Sequence, residues 1–285
     1  DVVQWFGEYA KVVAENFSDI CEYFITINEP QCVVGLGHLS GVHAPGVKLP
    51  VAQTFLVAHH LLMAHGQAVI NLRRYAVRPV KIGFAPTGGV AYPYTDRPED
   101  IEAAKKVYFG FYNPIDNWTW NVSWFSDPVF LGHYPEEGLK KFAPYLPEIT
   151  QEDMELIYQP LDFMGQNIYN GYYVRAGADG EPEFVDRAPG FPKTGSDWPV
   201  TPEAFYYGIK FLTERYPLPL YITENGMSCH DDVSLDGRVH DPNRQNFLDM
   251  YISALQKAND EGVAVRGYFL WTFLDNFEWD KGYTE

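Results

Sequence analysis

The stretch that decides the fold is LYITENG at residues 220–226, a short β-favouring run that ends in a glutamate before an Asn–Gly pair. Glu224 is therefore predicted at the last position of a strand, where rigid backbone holds a side chain that points beyond the strand end. Far upstream, YFITINEP at residues 23–30 repeats the arrangement, with Glu29 at the strand end and a proline after it. In a parallel barrel this end of the strands carries the chemistry. The two glutamates are thus the first candidates for catalytic residues.

The rest of the chain alternates predicted strands and helices. Within five predicted strands, apolar and polar residues do not alternate, which is typical of strands buried on both faces of a parallel sheet. These strands cover residues 23–28, 81–85, 161–167, 220–223 and 264–271. Predicted helices cover residues 1–18, 50–75, 98–130, 151–158, 202–215 and 245–259. A hairpin-like excursion is predicted at about residues 170–200, around a turn at 177–180.

This order of elements allows a (β/α) barrel or a doubly wound sheet. No G-x-G-x-x-G follows the first strand, which argues against a Rossmann variant. Polar or acidic residues close four strand ends, which favours the barrel: Glu29, Asn167, Glu224 and the loop with Glu278. We therefore predict an α/β fold, a (β/α)8 TIM barrel, with about five of the eight strand–helix units in this chain. Residues 1–285 are predicted to be a single partial barrel catalytic domain.

Composition narrows the classes of partner. The formal net charge of −17 disfavours nucleic acid, anionic membranes and polyanionic substrates. Aromatic residues make up 16% of the chain, which fits either a cleft that stacks on sugar rings or an aromatic-rich core. The three cysteines are scattered and form no CxxC, so we expect reduced thiols. Without a leader or a long apolar run, a cytoplasmic protein is expected.

The two strand-end glutamates suit the hydrolysis of a glycosidic bond. One carboxylic acid must protonate the leaving oxygen, and a second carboxylate must attack the anomeric carbon or activate water. Pro30 fixes the backbone after Glu29, and the amide of Asn28 can both donate to and accept from a sugar hydroxyl. A single strand-end glutamate is ordinarily a surface carboxylate, but two in the same context favour a catalytic pair.

Two short motifs carry a resemblance to a known family. TINEP at residues 26–30 and ITENG at residues 222–226 closely resemble the two signatures of family-1 glycoside hydrolases, which are retaining β-glucosidases and their relatives on a (β/α)8 barrel. The resemblance implies that Glu29 is the acid/base, Glu224 the nucleophile and Asn28 a partner of the sugar's 2-hydroxyl. It implies no cofactor and no metal.

Further matches extend along the chain. The sequence Asn167-Ile168-Tyr169 is similar to the family's Asn-Tyr-Tyr, which implies that Tyr169 hydrogen-bonds the nucleophile, with Asn167 in support. Trp198 matches the tryptophan that walls the leaving-group side. One departure is Thr87, where the family commonly has an asparagine.

The C-terminal part of the chain resembles the family's glycone site. Trp271 matches the tryptophan that floors this site. Glu278 matches the acceptor from the 4- and 6-hydroxyls, and Trp279 the donor to the 3-hydroxyl. Because Glu278 would repel a 6-phosphate, a neutral glycone is expected. Glucose is preferred, with galactose or fucose as alternatives.

Two parts of the family's sequence have no match in this chain. They are the first three strands, which include an arginine beneath the nucleophile, and the C-terminal end. The expectation is a fragment that lacks the N-terminal third and the C-terminal end. Three accounts stay open: part of a longer enzyme, one chain of a nicked enzyme whose companion chain supplies strands one to three, or a deliberate fragment. The predicted function is hydrolysis of a β-glucoside or short cello-oligosaccharide, as in cellobiose degradation. The alternative is a catalytically silent fragment that binds a partner by edge pairing.

Overall fold

The structure, a computed structural model, describes residues 1–283. Its residues divide into two compact units, one formed by Asp1–Gly88 and Phe109–Gln166, the other by Gly89–Tyr108 and the chain from Asn167 onward. In chain order the helices and strands are α1 (Val2–Phe17), β1 (Tyr23–Asn28), α2 (Pro30–Val34), α3 (Val51–Tyr75), β2 (Lys81–Ala85), β3 (Val90–Pro93), α4 (Pro98–Phe109), α5 (Val122–Phe130), α6 (Glu136–Phe142), α7 (Gln151–Ile157), β4 (Phe163–Asn167), β5 (Gly171–Ala176), β6 (Pro182–Val185), α8 (Pro202–Arg215), β7 (Leu220–Asn225), α9 (Pro242–Asp260) and β8 (Val265–Leu270).

The first unit is built on three parallel strands in the order β1-β2-β4. Every residue of β4 is buried, as are all residues of β2 except Lys81. Burial on both faces of the sheet is what the sequence predicts for a strand in which apolar and polar residues do not alternate. At the close of β1, Asn28 pairs with Ala85 across a register irregularity, so the chain leaves the sheet at Glu29.

Helix α1 packs on α3 through small residues. Gly7, Ala10 and Ala14 are its buried positions, and Ala10 and Ala14 join a cluster with Ala68, Val69 and Leu72. Trp5 and Tyr9 lie away from this face, at 68% and 62% exposed, whereas Phe6 and Val13 are half-buried and pack against the cluster. Small side chains let the two helix backbones approach closely, and this contact determines which face of α1 is covered.

Aromatic rings fill the core of the first unit. Trp118 and Trp124 are buried. The ring of Trp118 stacks on Phe55 with centroids 3.8 Å apart, and Trp124 lies edge-on to Phe55 at 5.2 Å. The indole of Trp118 donates to the Thr54 hydroxyl at 3.1 Å, which satisfies its polar atom.

The second unit holds two separate pairings of strands. β7 and β8 are parallel, and β5 pairs in parallel with β3 and antiparallel with β6. The β5–β6 pair is a hairpin within the excursion predicted at residues 170–200. Helices α8 and α9 pack through Phe205 and Tyr251, whose ring centroids are 5.4 Å apart. Across residues 1–283, we find no helix with the length and apolar character needed to cross a bilayer.

The single helix predicted over residues 98–130 is interrupted. Helix α4 ends at Phe109, a 3-10 turn covers Ile115–Trp120, and α5 begins at Val122. Pro114 precedes the 3-10 turn and lacks the N–H that a continuous helix needs. The break falls at a boundary between the two units, since α4 lies in the second unit up to Tyr108 and α5 lies in the first.

Burial of His65 predicts a pH-dependent stability. Its Nδ1 lies 2.6 Å from the Thr26 hydroxyl, and burial lowers the pKa of His65 to about 3. Below pH 6.5 the unfolded chain protonates this histidine and the folded chain does not, so the free energy of unfolding falls as pH falls toward 3. We expect a loss of about 2 kcal/mol between pH 6.5 and 5, at ~1.4 kcal/mol per pH unit.

Urea unfolding at pH 6.5 and pH 5 measures this loss. Between pH 6.5 and pH 5, the free energy of unfolding of His65→Gln should fall by about 2 kcal/mol less than that of the parent chain. This difference does not depend on the stability of the variant at pH 6.5. His60→Gln, which replaces an exposed histidine of the same helix, is the matched control. An unchanged pH dependence in His65→Gln would show that this histidine does not govern the acid response.

Candidate active site

Glu29 is fixed from both sides of its backbone. Its N–H donates to the carbonyl of Ala85 at the end of β2, at 2.8 Å. Its carbonyl accepts from Cys32 at 3.0 Å and Val33 at 3.2 Å, which starts helix α2. Its backbone is left-handed, with φ 47° and ψ 62°. Such a conformation is strained in any residue other than glycine and is concentrated at functional sites.

Buried polar groups support helix α2, which follows Glu29. The Gln31 side chain is fully buried, and its Oε1 accepts from the N–H of Thr87 at 3.1 Å. Thr87, the departure from the family pattern, is itself buried. Asn28 is exposed and Glu29 half-buried. A glutamate in this position keeps access to solvent while its backbone is held rigid.

Glu224 is held by a tyrosine. The Tyr169 hydroxyl donates to Glu224 Oε2 at 2.6 Å. The backbone joins the same two segments, since the N–H of Ile168 donates to the carbonyl of Glu224 at 3.1 Å. A short hydrogen bond to a carboxylate orients it and favours its ionised form. The structure thus places two of the residues implied by the family resemblance, Tyr169 and Glu224, in direct contact.

The neighbours of Glu224 in β7 tie the strand to the segment before Tyr169. Thr223 donates to Asn167 Oδ1 at 2.5 Å, and the Asn225 amide donates to the carbonyl of Ile168 at 2.8 Å. The Tyr268 hydroxyl donates to Asn225 Oδ1 at 2.7 Å. Burial raises the pKa of Tyr268 to about 12, so this donor stays protonated across the working range of pH.

Tyr169 is positioned in turn by the helical layer. The Tyr251 hydroxyl donates to the carbonyl of Tyr169 at 3.0 Å and accepts from the N–H of Thr201 at 2.8 Å. Burial raises the pKa of Tyr251 to about 12. Trp198 lies edge-on to the Tyr169 ring at 5.2 Å and is partly exposed. Sequence reasoning missed Tyr251 and Tyr268, since nothing in a helix or strand pattern marks a buried hydroxyl with a partner.

Gly226 is required by a close approach. A Cβ on this residue would lie 1.9 Å from the carbonyl oxygen of Trp271, which is a backbone atom and cannot rotate away. Its φ is not positive, so the glycine does not serve here as a left-handed turn residue. The absence of a side chain at Gly226 therefore lets the ends of β7 and β8 approach closely. Glu224 and Trp271, which lie at these strand ends, are brought near each other in the same way.

Replacing Gly226 by alanine is expected to lower the free energy of unfolding by about 1–3 kcal/mol, because overpacking against backbone forces the strand ends apart. Thermal or urea unfolding measures the loss. Gly89→Ala is the matched control in the same unit, since its Cβ would meet Tyr172 at an ordinary 3.5 Å. Equal stability of the two variants would contradict this account of Gly226.

The remaining predicted site residues follow β8 and are more open. Trp271 and Trp279 are exposed, and Glu278 is half-buried. The N–H of Glu278 donates to the carbonyl of Gly282 at 2.7 Å, and a 3-10 turn over Trp279–Lys281 follows. This turn fixes the backbone of the predicted glycone loop while its side chains stay accessible to a ligand.

Within residues 1–283, one group of side chains has the spacing of metal ligands: Cys229, Asp231 and Asp241, whose ligand atoms lie within 4.8 Å of one another. Arg244 already pairs with both carboxylates, at 2.7 Å to Asp231 and 3.1 Å to Asp241. The guanidinium supplies the positive charge that a metal ion would bring. We therefore read the group as an ion-pair network.

Parallel strands separated by helices, with Glu29 directly after β1 and Glu224 near the end of β7, are the features expected of a barrel glycoside hydrolase. Residues 1–285 match the model of the family described as "Glycosyl hydrolase family 1". The chain belongs to this family, and the (β/α)8 fold predicted from the sequence is confirmed by its solved relatives.

The similar proteins are longer than this chain. Beta-glucosidase A of Thermotoga maritima is 41% identical over 288 residues, which cover 100% of this chain and 62% of that protein. The 1,4-beta-D-glucan glucohydrolase of Thermotoga neapolitana is 40% identical, with 100% of this chain and 65% of that protein covered. The family 1 β-glucosidase from Thermotoga maritima, solved with isofagomine lactam, aligns with a TM-score of 0.84 at 40% identity over 99% of this chain and 61% of that chain. The chain thus spans a little over three fifths of these relatives.

Proposed function

We propose that this chain supplies both catalytic carboxylates of a retaining β-glucosidase. The observation that carries the proposal is the hydrogen bond from Tyr169 to Glu224, because it prepares one strand-end carboxylate as an oriented, ionised nucleophile. Family membership supports the assignment, and the similar proteins are named as β-glucosidases. The corresponding role of Glu29 is supported by its place at the end of β1, on a left-handed backbone.

The reaction proceeds in two displacements. Glu224 attacks the anomeric carbon while protonated Glu29 gives its proton to the leaving oxygen, so a glycosyl–Glu224 ester forms and the aglycone departs. Glu29, now ionised, takes a proton from water as the water oxygen attacks the same carbon. The ester bond breaks, Glu224 returns to a carboxylate and the sugar leaves with its β-configuration retained.

The substrate we propose is a neutral β-glucoside or a short cello-oligosaccharide. Trp271 offers a flat apolar face for the sugar ring, and the Trp279 indole and Asn28 amide offer polar partners for its hydroxyls. Glu278 accepts from sugar hydroxyls and repels a phosphorylated glycone. Galactosides and fucosides are the alternatives, since a carboxylate acceptor does not by itself distinguish these sugars.

A chimeric enzyme tests the function. In it, this chain replaces the matching segment of Thermotoga maritima β-glucosidase A, and the relative supplies the rest of the barrel. We expect hydrolysis of 4-nitrophenyl β-D-glucoside, faster than of the galactoside and fucoside, with the β-anomer appearing first by proton NMR. First appearance of the α-anomer would contradict retention, and a folded but inactive chimera would contradict the function.

Exposed apolar residues favour a second candidate, in which the chain by itself is silent and acts only with a companion segment. Within the first unit Trp5 is 68% exposed, and within the second Phe273 is 92% exposed. Tyr9 and Val12 are exposed on the same face of α1 as Trp5, and an exposed apolar face of this kind is typical of a surface that another segment covers. Hydrolysis by the 285-residue chain alone excludes this candidate, whereas activity that appears only on mixing with the rest of the relative supports it.

A further inference from the structure

The Cys32 thiol lies against the carboxylate of Glu29. Cys32 Sγ donates to Glu29 Oε2 at 3.0 Å, and both side chains are half-buried. The contact arises from the backbone, since the carbonyl of Glu29 accepts the N–H of Cys32 and begins α2. The left-handed turn at Glu29 followed by one helical turn places the residue three positions later beside its side chain.

A thiol suits a carboxylate that must both release and take up a proton. It is a weak, neutral donor, so it orients the oxygen without adding a fixed charge that would hold the carboxylate permanently ionised. The carboxylate in turn disfavours the thiolate, because two adjacent negative charges repel. Cys32 should therefore stay a thiol and be a poor nucleophile, although its solvent access is only partly restricted.

We propose that Cys32 is a positioning residue for Glu29: its thiol orients Oε2 and couples the proton equilibria of the two side chains. This inference rests on the proposed function for its catalytic meaning, but the coupling itself does not require turnover. The hydrogen bond from the Thr87 N–H to the Gln31 side chain holds helix α2. Cys32 reaches the reactive carboxylate itself.

The coupling can be measured on the 285-residue chain. With glutamate carboxyl carbons labelled by carbon-13, the Glu29 resonance is assigned by its loss in Glu29→Gln and titrated in the parent chain, Cys32→Ala and Cys32→Ser. We expect the midpoint in Cys32→Ala to move to higher pH by about 0.3–0.7 unit, because a donor to the ionised form is lost. Cys32→Ser keeps a donor, so its midpoint should match the parent or lie lower. Equal midpoints in Cys32→Ala and the parent, or equal shifts in Cys32→Ala and Cys32→Ser, would overturn the proposal.

A second measurement reads the coupling from the thiol. Iodoacetamide alkylation of each cysteine, followed by peptide mass spectrometry, should show Cys32 reacting about three- to tenfold faster in Glu29→Gln than in the parent. Cys21 and Cys229 are internal controls whose rates should not change. An unchanged Cys32 rate beside unchanged controls would overturn the coupling. A chimeric enzyme without activity would contradict the proposed function, and the titration and alkylation results on the 285-residue chain could still be interpreted.

Discussion

Replacing Glu224 by alanine is expected to lower kcat/KM for 4-nitrophenyl β-D-glucoside by about 10⁴-fold in the chimeric enzyme. The change removes the atom that forms the covalent bond to the sugar, and a loss of this size is about 5.4 kcal/mol of transition-state stabilisation. The cavity left by the side chain admits a small anion, so added azide should restore turnover and give the glycosyl azide of inverted configuration.

Two comparisons make the Glu224 result specific. Glu214→Gln changes a glutamate of the same unit that pairs with Lys105 on the surface, and its activity should match the parent. Tyr169→Phe removes only the hydroxyl that donates to Glu224 Oε2, and we expect a smaller loss, about 10- to 100-fold. Retention of more than a tenth of the parent activity in Glu224→Ala would contradict its assignment as nucleophile.

Replacing Glu29 by glutamine is expected to separate substrates by their leaving groups. Cellobiose needs a proton on its departing oxygen, so its kcat/KM should fall by about 10³-fold. 2,4-Dinitrophenyl β-D-glucoside departs without protonation, and its kcat/KM should fall less than about tenfold. The kcat for this activated substrate should still fall, because hydrolysis of the glycosyl-enzyme loses its general base and the glycosyl-enzyme accumulates.

Glu22→Gln is the matched control for this variant. Glu22 is exposed and immediately precedes β1, so it lies at the opposite end of the strand that carries Glu29. Glu22→Gln should leave kcat/KM unchanged for both cellobiose and 2,4-dinitrophenyl β-D-glucoside. Equal losses for the activated glucoside and for cellobiose in Glu29→Gln would contradict an acid/base role, since they would indicate a general disruption of the site.

The five parallel strands were predictable because each is a short apolar run, and four of them have a polar or acidic residue at or after their end. The structure places β1, β2, β4, β7 and β8 within about two residues of the predicted bounds. The predicted burial on both faces holds for β2 and β4, whereas β1 and β8 carry exposed residues. Strand β3 was missed. It has four residues and ends in Pro93, and it exists through its backbone pairing with β5, which no local pattern encodes.

The helix after Glu29 was missed for a different reason. Pro30 was expected only to fix the backbone after Glu29, but it is the first residue of α2, where a helix needs no N–H from it and its φ already suits a helix. This error concealed the contact between Cys32 and Glu29, which depends on a helical turn between them. A proline after a strand-end residue is thus compatible with either a loop or a helix start.

For the site, the sequence predicted where the two carboxylates lie along the chain, and the family resemblance supplied their roles. The sequence did not predict most of the hydrogen bonds that hold the segments around these carboxylates in place. The contacts of Tyr251 with Tyr169 and of Tyr268 with Asn225 join residues far apart in sequence. Gly226 was interpreted as part of a turn, whereas the nearby carbonyl of Trp271 explains why it has no side chain.

The most direct test of the central claim is to trap the covalent intermediate. The chimeric enzyme is incubated with 2,4-dinitrophenyl 2-deoxy-2-fluoro-β-D-glucoside, whose fluorine slows both displacements while the activated leaving group still lets the first proceed. Peptide mass spectrometry then locates the label. We predict one fluoroglucosyl group, on the peptide that contains Glu224, and a loss of activity that follows the labelling. A label on any other residue, or an active enzyme that stays unlabelled, would contradict the assignment of Glu224 as the nucleophile of a retaining glycosidase.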